Sequence, residues 1–205
     1  MREAAPWIRV DRPGPSFRPP VVAATIAAAA GMLPGVSNSA PFNRRREEDS
    51  STTGTPTMPS HTVRLHRVLR APAGRVYRAF LDPAALAKWL PPNGFTGTVH
   101  ELDARVGGRY RMSFTHFGTG HAHAFGGTYL ELEQDRRIRH DDRFDDPDLP
   151  GTMVTTIELT PLPVGTEVRI VQEGIPAAIP VEQCYLGWQE SLVLLGKLVE
   201  AEIPG

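Results

Sequence analysis

Three histidines stand close together in this chain, at His116, His121 and His123. On a strand, residues two apart point to one face, so His121 and His123 would present their rings together, as a zinc site requires. A third ligand of fixed geometry is not evident, and Gly118 to His121 reads as a turn, so no metal site is assigned. Asp141, Asp142, Asp145, Asp146 and Asp148 form an acidic run. The run lacks the alternating oxygen ligands and closing glutamate of a calcium loop and reads as a solvated turn. Asp141 or Asp142 could still point inward from a strand, where a buried carboxylate near Tyr or His would serve as a general acid or base. Cys184, the sole cysteine, reads as a small buried hydrophobe, because a nucleophile would need a neighbouring base. The chain holds no Gly-rich phosphate loop, no Gly-x-Ser-x-Gly elbow and no basic–aromatic stripe for nucleic acid. No catalytic residue is assigned and no cofactor is called for.

A different chemistry is suggested by Arg109 to Phe117. Alternation places Tyr110, Met112, Phe114 and His116 on one face and Arg109, Arg111, Ser113 and Thr115 on the other. The aromatic face is expected to look inward. Core packing would account for any one of these residues, whereas a ligand cavity needs several, from different elements, around a void. Trp89, Tyr129, Cys184, Trp188 and Leu192 complete such a set.

These residues need a scaffold. Thr62 to Leu69 alternates as a half-buried strand, with Val63 and Leu65 inward. Pro72 opens a helix with Val76, Tyr77 and Phe80 on one face. Asp82 caps a second short helix with Pro83 at its first position, setting Leu86, Trp89 and Leu90 to one side, and Pro91-Pro92 ends it. Six strands follow, over 95–103, 109–117, 123–133, 137–144, 152–160 and 166–172, with turns at Gly107-Gly108, at Gly118 to Gly120 and around Pro163 and Gly165. Gln172 to Pro180 is apolar yet reads as a loop that could roof a cavity. A long helix then runs from about Val181 to Ile203, with Cys184, Tyr185, Trp188, Leu192, Leu195 and Val199 as its apolar stripe and Gln189, Glu190, Lys197 and Glu200 as its wet side. The order of elements is that of an α+β domain over residues 60–205, a curved antiparallel sheet of about seven strands around a long C-terminal helix.

Residues 1–59 differ. They carry nine of the twenty prolines, the run Arg44-Arg45-Arg46-Glu47-Glu48-Asp49 and a polar stretch to Thr57. Such a segment cannot bury enough apolar area to offset its ordering entropy and is expected to be disordered. Two further readings stay open: a signal-like core at Val21 to Leu33, and an upstream extension of a chain whose translation starts at Met58. The net charge of −1 excludes a strong field toward nucleic acid, and no stretch is long enough to span a bilayer. One cysteine excludes an intrachain disulfide and fits a reducing, cytoplasmic setting.

From His61 to Ile203 the chain resembles the START-like, or Bet v 1-like (SRPBCC), superfamily, and within it the branch of the activator of heat shock protein 90 ATPase homologue. The resemblance rests on Val76-Tyr77-Arg78-Ala79-Phe80, Asp82-Pro83, Trp89, Asp103 to Tyr110, Gly127 to Leu132 and Gly187-Trp188 to Leu195, in that order. It implies a helix-grip fold enclosing an apolar cavity, and a carrier of a small hydrophobic molecule. Polyketide cyclase- or dehydratase-like catalysis in the same cavity is one alternative. A chaperone-linked or self-associating interaction module is the other.

Overall fold

A computed structural model describes residues 60–202. The readings made for residues 1–59 lie outside the described residues. The chain forms β1 (Ser60–Leu69), α1 (Ala73–Ala79), α2 (Pro83–Trp89), β2 (Phe95–Leu102), β3 (Arg109–His116), β4 (Ala122–Glu133), β5 (Arg137–Phe144), β6 (Met153–Leu162), β7 (Gly165–Pro176) and α3 (Val181–Val199). The seven strands make one antiparallel sheet in the order β1-β7-β6-β5-β4-β3-β2. The expected α+β grip is therefore the observed architecture, with α3 held against the inner face of the sheet.

Local chemistry explains the start of α2. The Asp82 carboxylate accepts from the Ala85 amide at 2.8 Å, and Pro83 needs no donor at the first helical position. Trp89 at its end is fully buried, its indole N–H donating to the Ala79 carbonyl at 2.8 Å and its ring edge-on to Phe80. In β1 the alternation runs through Val63 and Leu65 to Leu69, so Val68 faces outward.

Two expectations are corrected. The first concerns Gln172 to Pro180, read as a loop. Its first half is strand, because Gly174 adopts φ 77° and forms a bulge, after which Ile175 and Pro176 pair with His61 and Ser60 of β1. Pro176 is tolerated because it ends the strand. The second concerns α3. Its stripe omits Tyr185, which is exposed, and includes Gly187 and Ser191, both buried. These small residues let α2 approach, and the Ser191 hydroxyl donates to the Leu90 carbonyl at 2.6 Å. Glu190, expected on the wet side, is half-buried and accepts from the Asn93 amide at 3.0 Å. The helix also ends at Val199, with Glu200 as its C-cap.

Gly127 lets the sheet curl. A Cβ there would stand 1.9 Å from the Asp141 carbonyl oxygen, so only glycine allows β4 this close to β5.

Candidate functional site

The inner face of the sheet and the first half of α3 enclose a cavity of about 90 Å³. Its walls come from α2, from β3 to β7 and from α3. Their composition sets them apart from the rest of the interior. Every buried aromatic among the described residues lines the cavity: Phe80, Trp89, Tyr110, Phe114, Phe125 and Tyr129. So do both buried methionines, Met112 and Met153. The rings meet edge to face, Phe114 on Phe125 at 5.0 Å and Tyr110 on His140 at 5.2 Å.

One polar row crosses this apolar bowl. Tyr129 pairs with His140, His140 with Thr155, and Thr155 with Gln172, on four adjacent strands. All four line the cavity, and Asp142 lies two residues beyond His140 on the same face. The Tyr110 hydroxyl is 3.0 Å from His140 Nδ1. The Asp142 carboxylate, 4% exposed, has the Thr155 hydroxyl and His140 Nδ1 each at 3.5 Å. Gln172 is approached from the helix: its Oε1 accepts from Trp188 Nε1 at 2.9 Å and from Cys184 Sγ at 3.4 Å. Its amide nitrogen has only the Met153 sulfur, at 3.8 Å.

Burial governs protonation here. It holds the Tyr110 phenol well above its ordinary value, assisted by the negative charge of Asp142. Burial also pushes Tyr129 up to about 12, with Tyr77 adding to it, and Cys184 up to about 12, with Asp142 adding to it. At neutral pH these three groups keep their protons. Cys184 is therefore a hydrogen-bond donor to Gln172 and no thiolate nucleophile.

Residues 70–200 match the family model described as "Activator of Hsp90 ATPase homolog 1-like protein". The chain belongs to this family. A crystal structure of a protein from Chromobacterium violaceum is 65% identical, with a TM-score of 0.68, covering 69% of this chain and 98% of that one. The solution structure of the AHSA1-like protein from Aeromonas hydrophila is 21% identical, with a TM-score of 0.57 over 68% of this chain and 92% of that one. A crystal structure of a protein from Nitrosomonas europaea gives 22% identity and a TM-score of 0.58, over 68% and 94% of the two chains. The two more distant likenesses show the fold alone. No curated protein matches the chain. Members of this family share a fold of ligand-binding type, and in this one no helix among the described residues is long and apolar enough to cross a membrane.

Of the residues singled out from sequence, Trp89, Tyr110, Met112, Phe114, Tyr129, Cys184 and Trp188 come together on the cavity wall. His116 and Leu192 do not. His116 sits at the end of β3, where its Nδ1 accepts from the Thr119 amide at 3.1 Å and its ring packs on Phe95, so it pins the β3–β4 turn. Leu192 is buried one turn past Trp188, outside the lining. The rings of His121 and His123 lie 4.9 Å apart, and among the described residues no three His, Cys, Asp or Glu side chains gather to hold a metal. In the acidic run, Asp141 accepts from the Thr128 amide at 2.8 Å, Asp145 pairs with Arg111, and Asp142 alone lines the cavity. His140, Thr155 and Gln172 escaped the sequence reading. For His140 alone a signal was present, in β5, where outward Arg137, Arg139 and Arg143 mark Ile138, His140, Asp142 and Phe144 as the inner set.

Proposed function

We propose that this protein binds a small hydrophobic molecule between sheet and α3, without transforming it, using Trp89, Tyr110, Met112, Phe114, Tyr129, Cys184 and Trp188 as contacts. The observation that carries this reading is the division of the core: among the described residues every buried Phe, Tyr and Trp and both buried methionines line this cavity, and the buried apolar core away from it is aliphatic. Methionines adapt their shape at little cost, which suits a wall that must yield to a guest. At about 90 Å³ the resting cavity is smaller than the roughly 150 Å³ that accommodates benzene, so the guest is compact or the walls part as it enters. Trp188, half-buried on α3, is a ring of the wall that reaches solvent and is held to Gln172 by its indole N–H. The unpaired, buried Cys184 suits a reducing compartment, and a cytoplasmic location goes with this reading.

The test is native mass spectrometry of the full chain, followed by denaturing extraction. A discrete added mass, lost in Trp188→Ala, supports the carrier. A bare chain that also fails to shift its melting temperature with any member of a hydrophobic-compound library overturns it. A second reading, cyclase- or dehydratase-like catalysis, is favoured by His140 and Asp142 in one cavity. Turnover of a guest that stops in His140→Ala would select it over the carrier.

A further inference from the structure

We infer that the guest of this cavity is an uncharged hydrophobic molecule with an acceptor oxygen, of the ketone or ester class, and that this oxygen sits on the side-chain amide N–H of Gln172. The inference rests on the ligand-binding reading above and names the chemical class of the ligand.

The orientation of the Gln172 amide is the first argument. Trp188 Nε1 lies 2.9 Å from the amide oxygen, and an indole nitrogen can only donate. Cys184 Sγ approaches the same oxygen at 3.4 Å, and its buried thiol keeps its proton, so it donates as well. Two donors from α3 thus fix which end of the amide is oxygen. Oε1 faces the helix, and Nε2 is turned toward Met153.

The count of hydrogens is the second. An amide nitrogen carries two. Its one acceptor among the described residues is the Met153 sulfur at 3.8 Å, and a thioether accepts weakly. Gln172 is 9% exposed, so bulk solvent does not serve the other hydrogen. A buried donor without a partner loses its hydration and gains nothing in return. Gln172 and Met153 both line the cavity, so this hydrogen is presented beside the void.

The rest of the polar row is occupied with itself. The Tyr110 hydroxyl is 3.0 Å from His140 Nδ1, and the Asp142 carboxylate has His140 Nδ1 and the Thr155 hydroxyl each at 3.5 Å. These groups, on β3, β5 and β6, partner one another. Gln172, on β7 at the end of the row, is the member with capacity to spare.

That capacity selects a head group. An ammonium has no lone pair to offer an N–H donor. A carboxylate has lone pairs, but it would be buried beside Asp142 in a cavity whose wall holds no Lys or Arg. An uncharged carbonyl oxygen accepts without that cost and brings no donor that needs a partner of its own. Met153 and Trp188, on either side of the Gln172 amide, give the hydrocarbon body an apolar seat.

The experiment is an NMR titration of the full chain with butan-2-one and 2-methylbut-1-ene, which share one shape and differ in carrying C=O or C=CH2. The ketone is expected to move one of the two Gln172 side-chain amide protons downfield, beyond any shift the alkene causes. Gln172→Leu is expected to lower the ketone-to-alkene affinity ratio about fivefold, the ratio cancelling changes of cavity shape that both probes feel. A ratio unchanged in the variant overturns the acceptor oxygen and leaves the container reading standing. So do Gln172 amide protons that respond alike to both probes. Binding by neither probe contradicts both readings. Should the variant fail to fold, the amide protons of the native chain decide alone.

Discussion

The two halves of α3 face two different interiors. From Leu192 to Val199 the helix packs on a solid aliphatic core: Leu192, Leu195 and Val199 join Val63, Leu65, Leu69, Val76, Val168 and Ile170, all outside the cavity wall. Polar ties hold this end shut. Arg75 donates to the Val199 carbonyl at 3.0 Å, and the Arg70 amide donates to the Glu200 carboxylate at 3.1 Å. From Cys184 to Ser191 the same helix lines a void walled by rings, methionines and a row of polar side chains alongside Leu and Ile. The comparison teaches that solid and hollow packing are divided along one helix, a division that the proposed carrier reading would use to separate stability from binding. The far end is close-packed by aliphatics alone, and the buried rings and methionines are confined to the near end.

The comparison is most easily broken by truncating each end. Leu195→Ala at the packed end should cost about 4 kcal/mol in chemical denaturation and leave guest uptake unchanged. Met153→Ala at the hollow end should cost about half as much, since its side chain already faces empty space. Equal costs at the two ends would erase the distinction. Gly127→Ala comes next. Its methyl group would collide with the Asp141 carbonyl, part β4 from β5 and cost about 3 kcal/mol, with guest uptake falling alongside stability. Trp188→Ala should cost about 2 kcal/mol, because the ring is half-buried and Gln172 loses its best donor, and it should alter uptake far more than Leu195→Ala does.

A pH response is also expected at the hollow end. Cys184 is raised from 9.0 to about 12 and Tyr129 from 10.0 to about 12 by burial. In the unfolded chain these groups ionise first, so above pH 9 the folded state holds more protons. Their stabilising contribution is complete below pH 9 and is lost as pH rises toward 12. Melting temperature should fall across that window, and Cys184→Ala should flatten the early part of the fall.

The fold was legible in the sequence wherever the signal was local. Asp82-Pro83 announced α2 because a cap and a proline act within one turn. The alternation of Tyr110, Met112 and Phe114 announced the cavity face of β3 because strand periodicity needs no partner. His116 followed the same alternation but was claimed by the adjoining turn, where Thr119 and Phe95 hold it. The polar row was illegible for a different reason. Tyr129, His140, Thr155 and Gln172 meet only through register between four strands, a non-local property with no periodic trace. Gly187 and Ser191 were hidden because close helix approach favours small residues that an apolar-stripe reading overlooks.

Crystals pressurised with xenon test the hollow and packed ends most directly, since xenon enters apolar voids and ignores close-packed core. The account predicts xenon in the cavity beside Phe114, Phe125 and Trp188, and none between Leu69, Leu195 and Val199. A cavity without xenon, or xenon among the aliphatic side chains of the far end, would contradict it.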